Sequence, residues 1–481
     1  MKKLTQEKKK RLRSVLRLPA VVLLSALTLA VILLSGNAIR KRIREERPRD
    51  TRREAVTERP KDEYSDFGGF TVTVLYSDAE RTHGFLAVTA PTLMARGDSE
   101  EIRALEMEYG LVLDFSKSNT AVESLNRAAA SGDPIADILV LPIAGELSDL
   151  LSHGQLEDLS SKTVMDLSHP AYDSEAASPA PLGGKRYLLT GAFLVGYRDA
   201  ASAVVYDRAA LSAFYQPKQL PAALAADGKW TYDAMNRILS EINSGINEEG
   251  AYFVMRVGKE DAPFLWISSG ADPVGKNADG TFTVQAREED PLRRLTLLRE
   301  RIFDSPYHVS ADDDSANVAF AFTTLGRYGE TDRERYAILP MPKLENDQLP
   351  YRSAVLADRA TAAAVPKGAG NTDRAAAALD ILFCRSYERY RGEYAADLCG
   401  RDEEDNEMLP IILSGTVLGP LDEFGYGEIL YSVISEAVTR TGDGSYPTEK
   451  SLLKKLKERG TALEFAINVL SDKAVENNAN P

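Results

Sequence analysis

Hydrophobic positions early in the chain predict short strands that alternate with helices. Apolar and polar residues alternate along residues 70–76 (FTVTVLY), and residues 111–115 (LVLDF) and 136–142 (ADILVLP) are apolar runs of strand length. Helical patterns lie between the strands, one ending at Gly110 and one covering residues 121–132. Because buried strands are separated by helices, the pattern predicts an α/β fold with a parallel sheet.

The same alternation continues through the rest of the chain. We expect further strands at residues 204–207, 336–342 and 361–366, a helix around residues 375–384 and a largely helical end from 427 to 468. A chain of this length, after its first 66 residues, is ample for two lobes that each have a sizeable core.

One helix start is defined by its own residues. Within residues 227–242, Thr231 is suited to cap the first turn and Asp233 lies where the helix dipole favours a carboxylate. Trp230 precedes the cap and is placed to pack against Met235. We therefore predict a structural role for Trp230.

The N-terminal segment differs from the rest of the chain. Residues 18–38 form an uncharged run, and this run is long enough to cross a hydrocarbon core of ~30 Å as a helix. The basic residues 1–17 precede it, and residues 39–66 are so polar that we expect a flexible stalk. We predict an uncleaved transmembrane anchor. A cleaved signal peptide, which would release a secreted protein, and a buried core helix are the alternatives.

Charge separates this segment from the body of the protein. The first 60 residues carry 17 basic and 6 acidic side chains, whereas the whole chain has a net charge of −14, which leaves −25 for the remainder. An acidic body argues against a nucleic-acid partner, because such binding needs a positive surface. The two cysteines cannot form a disulfide scaffold; we expect a buried thiol at Cys384, with pairing to Cys399 as the alternative.

Two short motifs are not typical of a bound cofactor or metal. Residues 270–277 (GADPVGKN) approach a phosphate-loop pattern but lack its final Ser or Thr, so we predict a loop between a helix and a strand. Residues 312–314 (DDD) lack the alternating spacing of a calcium loop, and the four histidines have no metal-ligand spacing.

Several segments of the body resemble the family 1 extracellular solute-binding proteins, the sugar receptors of bacterial ABC importers. The resemblance covers nearly all of residues 67–470. It is carried by the order and spacing of ASGDPIADILVLP, GGKRYLLTG, AVVYDRAAL, DGKWTYDAM, WISSGADPVGKNADGTFTV, YAILPMPKLENDQLPYRS and AAAVPKGAGNTDRAAAALDIL.

The resemblance implies a two-lobed periplasmic-binding-protein-like fold whose lobes are discontinuous in sequence. Lobe one would comprise residues 67–197 and 356–408, and lobe two residues 198–355 and 409–470, with the chain crossing near Tyr197 and Leu356. Residues 471–481 would form a disordered tail.

The resemblance also implies ligand contacts at four positions. Phe264 and Trp266 lie where sugar-binding members place stacking rings, Tyr328 falls at another such position, and Asp78 follows the first strand, where a polar contact is usual. Sugars present apolar C–H faces to rings and hydroxyls to carboxylates. For each ring, a core position is the alternative, because aromatic side chains are mostly buried.

The leading hypothesis is therefore a membrane-tethered extracytoplasmic receptor that binds an oligosaccharide and delivers it to an ABC permease, without a cofactor or metal. The alternative is a sensor or scaffold of the same fold with a decayed ligand site. The anchor and the apolar residues 142–144 (PIA), which follow a strand where polar groups are usual, motivate this alternative. No motif supports an enzyme.

Overall fold

The computed structural model describes most of the body of the protein. The described residues are 66–77, 99–117, 136–173, 182, 184–216, 220–244, 252–277, 281–313, 317–348, 350–355, 360–390, 392–418 and 426–476. The run at 18–38, the predicted helix at 121–132 and Asp78 lie outside them. None of the helices in the described ranges is both long and apolar enough to cross a membrane.

The strands and helices of the described residues alternate along the chain. The strands are β1 Phe70–Tyr76, β2 Leu111–Lys117, β3 Ile138–Pro142, β4 Ser202–Asp207, β5 Phe253–Arg256, β6 Val274–Lys276, β7 Phe282–Val284, β8 His308–Val309, β9 Asn317–Thr324, β10 Tyr336–Leu339, β11 Ser353–Val355, β12 Thr361–Ala364 and β13 Thr416–Leu418. The helices are α1 Ser99–Tyr109, α2 Ser148–Ser152, α3 Gly196–Asp199, α4 Arg208–Ser212, α5 Pro221–Ala226, α6 Tyr232–Ser244, α7 Ala262–Ser268, α8 Glu289–Leu298, α9 Leu325–Gly329, α10 Thr372–Tyr390, α11 Glu393–Cys399, α12 Glu403–Ser414, α13 Gly427–Ala437 and α14 Glu449–Glu476.

A four-stranded sheet with the order β12-β3-β1-β2 forms the first lobe. β1 runs parallel to β2 and β3, and β12 is antiparallel to β3. The parallel sheet predicted from the sequence is thus confirmed, with one antiparallel edge strand. The first four residues of β3 are fully buried because apolar clusters cover both faces of the sheet, and this explains its continuous apolar sequence.

A five-stranded sheet with the order β10-β4-β9-β5-β8 forms the second lobe. β4 is antiparallel to both of its neighbours, whereas β5 is parallel to β8 and β9. Every residue of β4 is buried, as expected of a central strand. The predicted strand at 204–207 is confirmed as β4, and the one at 336–342 is confirmed as β10 for residues 336–339, whereas residues 340–342 lie beyond the strand.

The chain connects the two sheets at two places. It enters the second sheet at β4 directly after Ala201, and it returns to the first sheet between β11 and β12. Ala201 forms an antiparallel bridge with Val355, and its carbonyl oxygen accepts a hydrogen bond from the Leu325 amide at 3.0 Å. The two connections are therefore hydrogen-bonded to each other, which is the arrangement of a two-lobed binding protein.

Helix α12 packs against the second sheet rather than the first. The carboxylate of Asp405 accepts a hydrogen bond from the Ile338 amide at 2.9 Å, and the buried side chains Met408, Leu409 and Ile412 form the apolar face of the helix. Residues up to 408 are predicted above to belong to lobe one, yet this contact puts the start of α12 beside β10. The lobe boundaries as a whole stay a prediction. The tail predicted from residue 471 is wrong for residues 471–476, which belong to α14.

The predicted start of α6 is confirmed. The Thr231 hydroxyl accepts a hydrogen bond from the Ala234 amide at 3.0 Å, and Trp230 and Met235 are both fully buried. The indole Nε1 of Trp230 donates to the carbonyl oxygen of Pro340 at 3.0 Å. These contacts confirm the structural role predicted for Trp230.

A hairpin occupies the segment predicted as a loop at residues 270–277. Residues 274–276 form β6, which pairs antiparallel with β7, so the prediction is wrong for these three residues. The long helix α14 covers the hairpin: the Asn468 side chain accepts from the Phe282 amide at 2.8 Å and donates to the Phe282 carbonyl at 2.9 Å. A carboxylate oxygen of Glu464 accepts from the Val284 amide at 3.0 Å.

Both cysteines are buried, and within the described structure they do not form a disulfide. The buried thiol predicted at Cys384 is confirmed.

Candidate functional site

Phe264 and Trp266 lie on the same short helix, α7, but in different surroundings. Phe264 lines a pocket, whereas Trp266 is fully buried and its indole Nε1 donates to the carbonyl oxygen of Pro291 at 2.9 Å. Residues two apart on a helix point in different directions, so only one of the two rings can face the pocket from this helix.

Tyr328 lies beneath the surface of the second lobe. Its side chain is fully buried, and its hydroxyl donates a hydrogen bond to the Asp405 carboxylate. Burial and the neighbouring carboxylate raise the pKa of the Tyr328 hydroxyl above its ordinary value of 10.0. A ligand role for Trp266 and Tyr328 stays a prediction, and for Asp78 the described residues give no information.

The pocket opens where β4 begins and β9 ends. It encloses about 270 Å³, its open mouth included. Its apolar lining comprises Phe264, Phe322 and Met341, and the ring of Phe322 stacks on the buried ring of Tyr232. Two phenyl rings at one pocket provide the apolar surface on which a planar or ring-shaped ligand packs.

Polar side chains line the other side of this pocket. The Ser202 side chain is buried, and its hydroxyl oxygen has no hydrogen-bond partner within the described structure. Ser202 pairs with Thr324 in the register of β4 and β9, and the Thr324 hydroxyl caps α9 by accepting from the Arg327 amide. A buried hydroxyl without a partner is costly, so a ligand atom that bonded to Ser202 would remove this penalty.

The pocket lies beside the connections between the two sheets. Ser202 directly follows Ala201, the residue that bridges the two connections between the lobes. The pocket is therefore on the edge of the second lobe nearest to the first. In α/β folds, ligands bind at such edges because side chains from several elements converge there.

On the first lobe, a turn at the carboxyl end of β3 carries a carboxylate that the sequence analysis missed. Gly145 adopts a φ of 84°, which favours glycine, and Glu146 follows it. Glu146 Oε2 is buried without a hydrogen-bond partner in the described residues, and burial raises the pKa of this carboxyl. The turn is held to the connection between the lobes, since the Ile143 amide donates to the Ala360 carbonyl at 2.9 Å.

Glu146 lies two residues after the apolar segment 142–144, whose lack of polar groups motivated the sensor or scaffold alternative. In the sequence, the only sign of this carboxylate is the pair Gly145-Glu146 just after a buried strand. That sign is weak as long as the φ angle of Gly145 is unknown. The turn after β3 therefore does carry a polar side chain, the carboxylate of Glu146.

A second group of charges holds α12 to the second lobe. The guanidinium of Arg208 lies 2.9 Å from a carboxylate oxygen of Asp402, 3.2 Å from one of Glu404 and 3.3 Å from one of Asp405. Burial raises the pKa of Asp405 to about 6, although its hydrogen bonds and Arg208 act in the opposite direction. Because Asp405 is fully buried and bonded on both oxygens, this group is structural.

The structure offers no candidate metal centre in the ranges that it describes. No group of three or more His, Cys, Asp or Glu side chains there is placed to hold a metal ion.

The fold of two α/β lobes joined by two adjacent connections is similar to that of solved ABC solute-binding proteins. The sugar-binding protein MalE from Xanthomonas citri superposes with a TM-score of 0.54 at 12% identity, covering 85% of this chain and 100% of that one. The GacH receptor of Streptomyces glaucescens, solved unliganded and with acarbose, superposes with a TM-score of 0.51 at 15% identity, covering 83% of this chain and 98% of that one.

An ABC substrate-binding protein of Listeria monocytogenes, in complex with cycloalternan, superposes with a TM-score of 0.51 at 13% identity. The match covers 82% of this chain and 98% of that one. No family model matches the sequence, and no curated protein matches it. The resemblance stated from the sequence is confirmed at the level of the fold.

Proposed function

We propose that this protein is an extracytoplasmic solute-binding protein that binds a carbohydrate between its lobes and delivers it to an ABC permease. The observation that carries the proposal is the pocket beside the connections between the lobes, where Phe264 and the unpartnered hydroxyl of Ser202 meet. The solved neighbours are binding proteins, and the proposal includes no catalytic step.

The chemistry of the pocket suits a sugar. A pyranose ring has C–H faces that pack on phenyl rings, and its edges carry hydroxyls that donate and accept hydrogen bonds. Phe264 and Phe322 supply the first kind of surface. Ser202 and Thr323 supply hydroxyls of the second kind, and Glu146 is a candidate contact from the first lobe.

We further propose that residues 18–38 anchor the protein in the membrane, with the large domain outside the cytoplasm. The length of the uncharged run and its basic flanks support this arrangement. Membrane fractionation with N-terminal sequencing tests it. A chain retained in the membrane with its native N-terminus is expected, and a released chain beginning at Ile39 would contradict the anchor.

The binding proposal is tested by thermal melts of the full-length chain in detergent against a panel of mono- and oligosaccharides. A ligand present at about 100 times its Kd raises the free energy of unfolding by about 2.7 kcal/mol. Phe264→Leu keeps an apolar side chain but removes the ring, so calorimetry should show affinity weakened by about tenfold or more, which corresponds to about 1.4 kcal/mol.

Phe282→Leu is the matched control for this experiment. Phe282 is also a buried phenylalanine of the second lobe, but it lies on β7 and does not line the pocket. We expect Phe282→Leu to lower stability to a similar degree and to leave affinity unchanged. Equal losses of affinity in both variants would show that the effect of Phe264→Leu is indirect.

A non-transport sensor or scaffold is the second candidate function. It is favoured by the burial of Trp266 and Tyr328, which leaves fewer rings at the pocket than the sequence predicts. A flat thermal response to every saccharide would favour this candidate.

A further inference from the structure

Arg327 lines the pocket, is exposed, and makes no side-chain hydrogen bond or ion pair within the described structure. Other arginines of this lobe are paired: Arg335 lies 2.8 Å from Asp207, and Arg208 contacts three carboxylates. The whole chain has 72 acidic and 58 basic residues, so carboxylate partners are abundant. A guanidinium that stays unpaired in such a chain, at the mouth of a pocket, is available to a ligand.

We propose that the pocket selects a saccharide that carries one carboxylate, and that Arg327 binds this group. The inference rests on the proposed carbohydrate function and specifies the class of ligand. A guanidinium presents its N–H groups as a planar fork, and this fork matches the two oxygens of a carboxylate. An uronic acid residue at the end of an oligosaccharide has this chemistry.

The charge balance of the pocket favours a single negative charge on the ligand. Asp261 also lines the pocket, and one of its carboxylate oxygens accepts from the Gly258 amide at 2.8 Å. Asp261 makes no ion pair with Arg327, so within the described residues Arg327 is the one cation in the lining that an anionic ligand can contact. A monoanion adds one charge for Arg327 to neutralise, whereas a phosphate would bring a second charge without a second cation in the lining.

The acidic body of the protein opposes the approach of an anion but does not prevent this contact. Charges more than about 8 Å apart are largely screened at physiological ionic strength, whereas a guanidinium and a carboxylate in contact are not. The preference for an acidic ligand should therefore depend on Arg327 itself and not on the net charge of the chain.

The test is calorimetry on the full-length chain in detergent with three related ligands. These are a disaccharide ending in glucuronate, the methyl ester of this acid, and the neutral disaccharide with glucose in the same place. We expect the acid to bind at least about tenfold more tightly than the ester or the neutral sugar. Arg327→Gln should abolish this difference, and Arg327→Lys should restore part of it.

Arg237→Gln is the control for a change in net charge, because Arg237 is exposed on α6 and does not line the pocket. It should leave the preference for the acid intact. Equal affinity of the native chain for all three ligands, or a preference that survives Arg327→Gln, would overturn the inference while leaving carbohydrate binding standing. Failure of all three ligands and of the wider saccharide panel would overturn both.

Discussion

Replacing the buried carboxyl of Asp405 by an amide should change how stability depends on pH. In the native protein, Asp405 is fully buried, one oxygen accepts from the Ile338 amide, and the other accepts from the Tyr328 hydroxyl. Burial nevertheless raises the pKa of Asp405 from 3.8 to about 6. The native state therefore holds a proton on this group more tightly than the unfolded chain does.

The sign and size of the effect follow from this difference. Stability contributed by protonated Asp405 is fully present below about pH 4 and is lost as the pH rises through about 6. An increase in pKa from 3.8 to about 6 corresponds to about 3 kcal/mol, since a tenfold change in a dissociation constant is worth about 1.36 kcal/mol. The free energy of unfolding of the native chain should fall by about this amount over that range through Asp405 alone.

Asp405→Asn removes the titration and keeps the shape of the side chain. Its amide oxygen can still accept from the Ile338 amide, and Arg208 keeps its contacts with Asp402 and Glu404. Urea denaturation of both proteins between about pH 4 and pH 7 should therefore show the variant gaining up to about 3 kcal/mol relative to the native chain as the pH rises.

Tyr328→Phe provides a second measurement on the same group. The Tyr328 hydroxyl stabilises the ionised Asp405 carboxylate, so its removal should raise the pKa of Asp405 and move the loss of stability to higher pH. A constant free-energy difference between Asp405→Asn and the native chain across the pH range would refute the reasoning, as would a difference that grows toward low pH.

Two further predictions concern the packing of the lobes. Trp266→Ala should lower the free energy of unfolding by about 3–5 kcal/mol, because it removes a fully buried indole and leaves the Pro291 carbonyl without its donor; a melting temperature equal to that of the native chain would contradict this burial. Gly191→Ala should destabilise by more than about 1–3 kcal/mol, because φ is 147° and a methyl group would lie 2.2 Å from the Ala171 carbonyl oxygen. Gly184→Ala, with φ of 82° and open space around it, isolates the backbone contribution, and equal losses in the two variants would argue against the contact.

The strands and one helix start could be predicted because their signals are local. The apolar run of β3 reflects burial on both faces of a sheet, and Thr231 caps α6 through an amide only three residues away. The overall fold followed from the order of such segments. By contrast, residues 274–276 carry few apolar residues, and their strand depends on pairing with β7, which no local pattern reveals.

The candidate site was less predictable because its members depend on tertiary contacts. Phe264 and Trp266 are both aromatic and two residues apart, and only the docking of α7 decides which ring reaches the pocket. Asp405 belongs to the charged run RDEEDNE, which is typical of a solvent-exposed surface, and its burial is set by the distant partners Tyr328 and Ile338. Arg327 became a candidate only once its lack of a partner was visible.

The contact between α14 and the β6–β7 hairpin has a consequence for how the protein is made. The hydrogen bonds of Asn468 to Phe282 join residues 186 positions apart, so this edge of the second lobe cannot be completed until residue 468 has been synthesised. At about 5–20 residues per second, a ribosome needs roughly 10–40 s to make the intervening segment. During that interval the Phe282 and Val284 amides lack the side chains that later bond to them. Nascent chains halted before residue 464 should therefore expose this edge to chaperones or to proteolysis.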